Sequence, residues 1–322
     1  LKILLIFSIY FYATKLHLKK NRYHFEKNNA TLSQKAKIVM KSILVMLAFI
    51  GSLFGEVDVA VSIIPQQTFV ERIGGDKVNV MTLVQPGQSP HAYEPKPSQM
   101  QQLSKVQIYF PITIEFENAW LEKFKSQNST MQIVPMTKGI QFMMMEKHTH
   151  SKNQEKVKTI IKPDSHTWTS PLNVKIMAKN IYETLSLVDP KNKDYYKKNY
   201  RDFLQEINTT DQTIREILLD TPSASKFMVF HPAWGYFARD YGLEQFPVEK
   251  EGKEPKPKEL IALIEKARAA NIKAIIVQKE FSEKAVQTIA DELHIQVIKE
   301  SPLASNWEEN LIRMANTIAN NK

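Results

Sequence analysis

The chain has 322 residues, of which 43% are hydrophobic and 24% charged, the proportions of an ordinary globular protein rather than a disordered one. That length suits a full core and about two domains, while the absence of cysteine excludes disulfides, thiolate metal sites and a lipid-modified leader cysteine. The formal charge of +9 invites a nucleic acid partner only until it is located: residues 1–55 hold nine Lys and Arg and one acid, Glu26, leaving 34 bases against 33 acids elsewhere, too even a balance for nucleic acid binding.

The basic stretch reads as a leader. Residues 1–39 resemble no domain and are read as a non-structural extension upstream of Met40. Met40-Lys41-Ser42 then opens twelve largely apolar residues, 43–54, closed by Gly55 and the polar Glu56-Val57-Asp58. A positive start, an apolar run of about 7–15 residues and a small residue at its end describe a secretory signal peptide, here residues 40–55. The run is short for a bilayer span, which takes about 20 residues, and so is the rival anchor at residues 3–12. Export to the periplasm is the expectation.

From Val57 onward short apolar runs alternate with amphipathic stretches of helical length, the pattern of βα units and parallel sheets. Strands are expected over 57–64, 77–84, 106–112 and 132–135, with helices over 66–73, 97–105 and 115–125 between them. Gly74-Gly75 stops the first helix and Pro97 opens the second. Residues 137–162 then lose periodicity. This stretch, with Met143 to Met145, His148-Thr149-His150 and a lysine-rich tail, reads as a loop; its paired histidines suggest weak metal capture, with Glu146 as a further ligand. Removing residues 144–157 is expected to cost little.

A helix over 171–187 leads through Asp189-Pro190 into an amphipathic stretch, 192–219, about 42 Å long if helical and stiff enough to join two domains. Beyond Pro222 the alternation resumes, with strands over 226–230, 273–277 and 295–298 and helices over 232–241, 258–270, 282–293 and 307–319. The expected organisation is a leader (1–55), an N-terminal α/β lobe (56–190), a connecting helix (191–221) and a C-terminal α/β lobe (222–322).

Three histidines stand apart. His91 lies in a loop fixed by Pro86, Pro90, Pro95 and Pro97, which lower the entropy cost of holding a ligand. His166 sits in Asp164-Ser165-His166-Thr167-Trp168, and His231 directly follows an apolar strand in Phe230-His231-Pro232-Ala233-Trp234. Open α/β folds grip ligands beyond the carboxyl ends of their strands, and three imidazoles with one further group complete a tetrahedral zinc site. His294 is read instead as a helix-end residue. His91, His166 and His231 are therefore the expected metal ligands, in a cleft between the lobes.

The motifs Ser-Pro-His-Ala-Tyr-Glu-Pro-Lys-Pro-Ser (89–98), Asp-Ser-His-Thr-Trp (164–168), Phe-His-Pro-Ala-Trp-Gly-Tyr-Phe-Ala (230–238), Gly-Lys-Glu-Pro-Lys-Pro (252–257) and Ser-Pro-Leu-Ala (301–304) occur in an order that carries a resemblance. From about Val57 to its end the chain resembles the cluster A-I solute-binding proteins of ABC importers for zinc and manganese, most of all their periplasmic zinc-binding type. The resemblance implies two α/β lobes joined by one long rigid helix, and one Zn²⁺ in the cleft on His91, His166 and His231. It also implies a monomer that delivers its ion to the membrane permease of an ABC transporter.

Two departures bear on the site. Where the family commonly places an aspartate ahead of the proline, this chain has Ser301, which leaves water or the adjacent Glu300 for the fourth position. The long histidine- and acid-rich loop of the zinc type is reduced to the stretch around His148 and His150. A site without that carboxylate favours zinc, because manganese prefers oxygen ligands and imidazole suits zinc. The alternatives are a manganese or iron carrier of the same family and, in another class, a zinc-dependent hydrolase, since three histidines and a water also catalyse. No HExxH or GxSxG is present, and a non-enzymatic receptor is expected.

Overall fold

The computed structural model describes residues 55–150, 157–249, 255–278 and 283–320; for 146–150, 157–161, 257 and 283–285 it describes the backbone alone. The expected leader, but for its last residue Gly55, lies outside the described residues.

Two four-stranded parallel sheets organise residues 56–322, which form one compact unit. The first has the order β2-β1-β3-β4, built from β1 (Val57–Val61), β2 (Val78–Thr82), β3 (Ile108–Phe110) and β4 (Gln132–Ile133). Helices α1 (Ile64–Gly74), α2 (Pro97–Leu103) and α3 (Glu115–Gln127) connect them. β1 is apolar and buried along almost its whole length, as expected for a central parallel strand covered on both faces. α1 begins with Pro65 in its first turn and buries Phe69, Val70 and Ile73. It ends where Gly75 takes φ 53°, a left-handed conformation that favours glycine, with the Tyr195 hydroxyl close against the place a Cβ would occupy.

After the first sheet, β5 (Met144–His150) and β6 (Val157–Pro163) form an antiparallel hairpin, where the sequence suggests an unstructured loop. Its apolar residues alternate too weakly to announce a strand: Val157, Thr159 and Ile161 interleave with Lys158, Ile160 and Lys162, so both faces are mixed. The side chains of Glu146, His148 and His150 lie outside the described residues.

Helix α4 (Pro171–Val188) is capped by Ser170, whose side chain accepts the Asn173 amide proton. The long helix α5 (Lys193–Ile217) follows; its 25 residues span about 38 Å. It buries Tyr196, Phe203, Ile207, Thr210 and Ile214, a stripe at spacings of seven, four, three and four that faces one side throughout. That stripe belongs to a core running from the first sheet through α5 to Phe227, Val229 and Trp307.

The second sheet has the order β10-β9-β7-β8, from β7 (Lys226–Val229), β8 (Glu244–Pro247), β9 (Ala274–Val277) and β10 (Gln296–Lys299). Helices α6 (Gly235–Asp240), α7 (Pro257–Ala269) and α8 (Glu283–Leu293) link them. β8 is absent from the sequence reading, because Glu-Gln-Phe-Pro at a sheet edge has neither alternation nor a β-branched residue. α6 starts three residues later than the expected 232, because Phe230 to Trp234 make a tight loop in which the His231 carbonyl accepts the Ala233 amide proton. No helix among the described residues is long and apolar enough to cross a membrane.

The last helix, α9 (Trp307–Asn320), returns to the first half of the chain. Trp307 meets Phe69 edge-on at 5.4 Å and donates its indole N–H to the Trp168 carbonyl, while Trp168 donates its own to the Pro302 carbonyl. Both indoles are at most 2% exposed. Trp168→Ala removes a buried bicyclic ring and the bond to Pro302; it is expected to destabilise the protein by about 3–5 kcal/mol, read as a lower urea midpoint at unchanged slope.

Candidate metal centre

Three chain segments that follow strands or precede helices place the three histidines. His91 lies in a short 3-10 turn after β2, opened by Pro90. His166 stands between β6 and α4 in a turn made by its neighbour: the Asp164 carboxylate accepts the His166 amide proton at 2.9 Å and its Nδ1 at 2.7 Å. His231 ends the run that leaves β7. His166 and His231 are buried and His91 is partly exposed, so the centre opens to solvent on the His91 side.

The imidazoles converge. His231 Nε2 lies 3.1 Å from His91 Nε2 and 3.3 Å from His166 Nε2. Tetrahedral zinc at about 2.0–2.1 Å from nitrogen separates its ligand atoms by about 3.3–3.4 Å, so two edges of one tetrahedral face are already in place. The His91 to His166 side is wider, with ring centroids 5.8 Å apart, and all three ligand atoms lie within 4.8 Å of one another.

Each ring is held from behind by a carboxylate on its Nδ1. Glu115 Oε2 stands 2.8 Å from His91, Asp164 Oδ1 stands 2.7 Å from His166, and Glu249 Oε2 pairs with His231. A carboxylate only accepts, so each neutral imidazole carries its proton on Nδ1 and presents a bare lone pair at Nε2. Three lone pairs then face one another at near-contact distance. Neutral imidazoles so arranged repel, and a shared cation converts that repulsion into attraction.

The carboxylates are themselves fixed. The neighbouring Glu117 accepts the amide protons of Ile112, Thr113 and Ile114 at 2.9, 2.7 and 3.1 Å; this clamps the β3–α3 turn, including Thr113 at φ 74°, and so orients Glu115 at the start of α3. Burial pushes the Glu115 carboxyl up, but the hydrogen bond and charge of His91 outweigh it and bring it to about 2. For His231, burial is the larger effect and lowers its pKa below the usual imidazole value, against the opposing pull of Glu249. Asp164 is anchored through its backbone, where its carbonyl accepts the Tyr236 hydroxyl proton at 2.8 Å and its N–H donates to the Met143 carbonyl at 2.8 Å. Tyr236 also accepts the Met143 amide proton at 2.9 Å, so one hydroxyl ties the base of the hairpin to the loop of His166.

The structure thus brings together all three histidines singled out in the sequence. His294 stays away from them: it is exposed, with φ 55°, at the end of α8, the left-handed position that closes a helix. Glu300, weighed beside water for the fourth position, and Ser301, which stands where the family commonly has an aspartate, are both engaged elsewhere. The Glu300 carboxylate is engaged by the Arg313 guanidinium at 3.1 Å, and the Ser301 hydroxyl accepts the Leu303 amide proton within its own turn. Glu115 and Glu249 went unmarked in the sequence reading, since they lie 24 and 18 residues from their histidines and nothing local signals the pairing. Asp164, two residues from His166, is part of a motif already quoted.

Known proteins share this arrangement of sheets and helix. A crystal structure of ZnuA aligns with a TM-score of 0.75 and 41% identity, covering 83% of this chain and 99% of that one. A second, described as a 138-173 deletion mutant of ZnuA with zinc bound, aligns at 0.74 and 41%, covering 83% and 98%. The manganese ABC transporter substrate-binding lipoprotein PsaA of Streptococcus mitis is 28% identical over 241 residues, 70% of this chain and 74% of that protein. The profile of the family described as "ZnuA: Zinc-uptake complex component A periplasmic" matches residues 59–321. With that match spanning nearly all of the compact unit, the chain belongs to the ZnuA family and is a non-enzymatic, metal-binding substrate-binding protein of an ABC transporter.

Proposed function

We propose that this protein captures Zn²⁺ on His91, His166 and His231 and delivers it, from the periplasm, to the membrane permease of a zinc importer. Substrate-binding proteins of ABC transporters work with a permease and an ATPase; the ion, the ligands, the signal peptide and the compartment are the parts inferred here. The observation that carries the choice of ion is the donor set: three imidazole nitrogens converge, each of their partner carboxylates stands behind a ring on Nδ1, and among the described residues no carboxylate joins the three nitrogens. Manganese is stabilised by oxygen ligands at higher coordination number, and this centre offers it few. The family's manganese carriers make the competition worth measuring. Titration of metal-free protein with Zn²⁺ should give one tight site, with Mn²⁺ displaced at equal concentration. Manganese held against equimolar zinc would overturn the assignment.

The β5–β6 hairpin is expected to be dispensable for this site. Met144 and Pro163 are register partners at its base, so residues 145–162 can be replaced by a two-residue Asn-Gly turn that leaves Met143 and Asp164 in place. Zinc affinity measured by calorimetry should change less than about threefold, with one tight ion per chain retained. A fall in stoichiometry confined to a weaker second ion would locate metal capture in the hairpin, and loss of the tight ion would show that the hairpin holds a ligand.

A further inference from the structure

The parallel register of the second sheet lines up more than His231 at its carboxyl edge. β7 pairs with β8 so that Val229 faces Pro247, and with β9 so that Val229 faces Ile276. The ladder continues past the strand ends. The Phe230 amide donates to the Ile276 carbonyl at 2.9 Å, and the Glu249 amide donates to the Phe230 carbonyl at 2.8 Å. Two steps beyond Val229, the row therefore reads Glu249, His231, Gln278. Side chains in one such row share a face of the sheet, as the pairing of Glu249 with His231 already shows.

Gln278 thus stands on the other flank of His231 from Glu249. It is 7% exposed and lines the same small cavity as His91, His166 and His231, together with Trp168 and Leu303. The cavity measures about 20 Å³, and a single water already needs about 10–15 Å³. There is room among these side chains for one small body.

We propose that Gln278 supplies the fourth contact of the centre, its side-chain carbonyl oxygen meeting the ion held by the three histidines. This rests on the metal-binding reading above and deepens it by naming the residue that sets ion preference. A neutral amide in place of a carboxylate leaves the ion's full double charge uncompensated at the fourth position. That costs manganese more than zinc, because zinc draws much of its binding from imidazole while manganese depends on anionic oxygen. Gln278 takes over the role that Ser301 and Glu300 do not fill: its strand end brings it to the histidines, whereas their turn carries them to Arg313 and Leu303.

The test uses the full-length protein stripped of metal, with Gln278→Glu, Gln278→Leu and His294→Ala as the control, each checked for folding by circular dichroism. Gln278→Glu is near-isosteric and should fold as the parent does. It should lower the ratio of zinc to manganese affinity at least about tenfold, and Gln278→Leu should weaken zinc about tenfold. In Co²⁺-loaded protein both should change the visible d–d bands, which report the donor atoms directly, while His294→Ala leaves them alone. Unchanged zinc-to-manganese ratio and unchanged cobalt spectrum in both variants, with tight zinc binding intact in the parent, would overturn the role of Gln278 alone. Absence of tight zinc binding in the parent would instead overturn the metal assignment on which it rests.

Discussion

His231→Ala should weaken zinc binding by about two to three orders of magnitude. Structural zinc sites of four ligands bind with about 10–16 kcal/mol, so each ligand carries roughly 3–4 kcal/mol, and 1.4 kcal/mol is tenfold. His231 is the ring common to both short contacts, 3.1 Å to His91 and 3.3 Å to His166, and no other described histidine stands near enough to replace it. The change also leaves the Glu249 carboxylate buried without its imidazole, which lowers stability as well. Glu249→Gln separates the two effects, because it keeps the ring and removes the charge that fixes its tautomer. It should cost about ten- to a hundredfold. His294→Ala should leave affinity untouched. Calorimetric titration of the three variants gives the ordering, and near-parental zinc affinity in His231→Ala would remove the three-histidine centre altogether.

The contrast between His231 and Glu249 also shows what a sequence of this kind makes legible. The histidines stand out because each sits in a short motif of prolines and aromatics next to a strand or helix end, so type and position agree locally. The long helix and, apart from the edge strand β8, the strands of the two sheets are also readable, the helix because its apolar spacing repeats along residues such as Tyr196, Phe203, Ile207 and Ile214. Glu115, Glu249 and Gln278 carry no such mark. Their roles come from parallel register and from a capped turn, that is, from which strand lies beside which. β7 neighbours β8 and β9, and only that order sets Glu249 and Gln278 on either side of His231. The hairpin was missed for a related reason: strand pairing there stabilises a segment whose own pattern is too mixed to show it.

Acid should release the ion, and the groups around the centre say which titration does it. Protons and zinc compete for the same three nitrogens, and free imidazole titrates near 6.5. Each ligand that protonates first adds up to tenfold loss of affinity per pH unit, so apparent zinc affinity should fall on the order of 10²- to 10³-fold, or more, between pH 7 and pH 5. Glu115 does not supply this slope: its burial is outweighed by its bond to His91, which holds its carboxyl down at about 2, so it stays ionised throughout. His231 takes up its proton at lower pH than a simple imidazole does. Burial lowers its pKa, so its neutral, metal-binding form persists to lower pH than a free ring would allow, and its share of the loss comes late. The curve of log affinity against pH should therefore steepen as the pH falls, with one ligand lagging behind free imidazole. In His231→Ala the late component should disappear from whatever binding remains. Affinity that stays flat from pH 7 to pH 5 would mean that oxygen ligands, not these three rings, hold the ion.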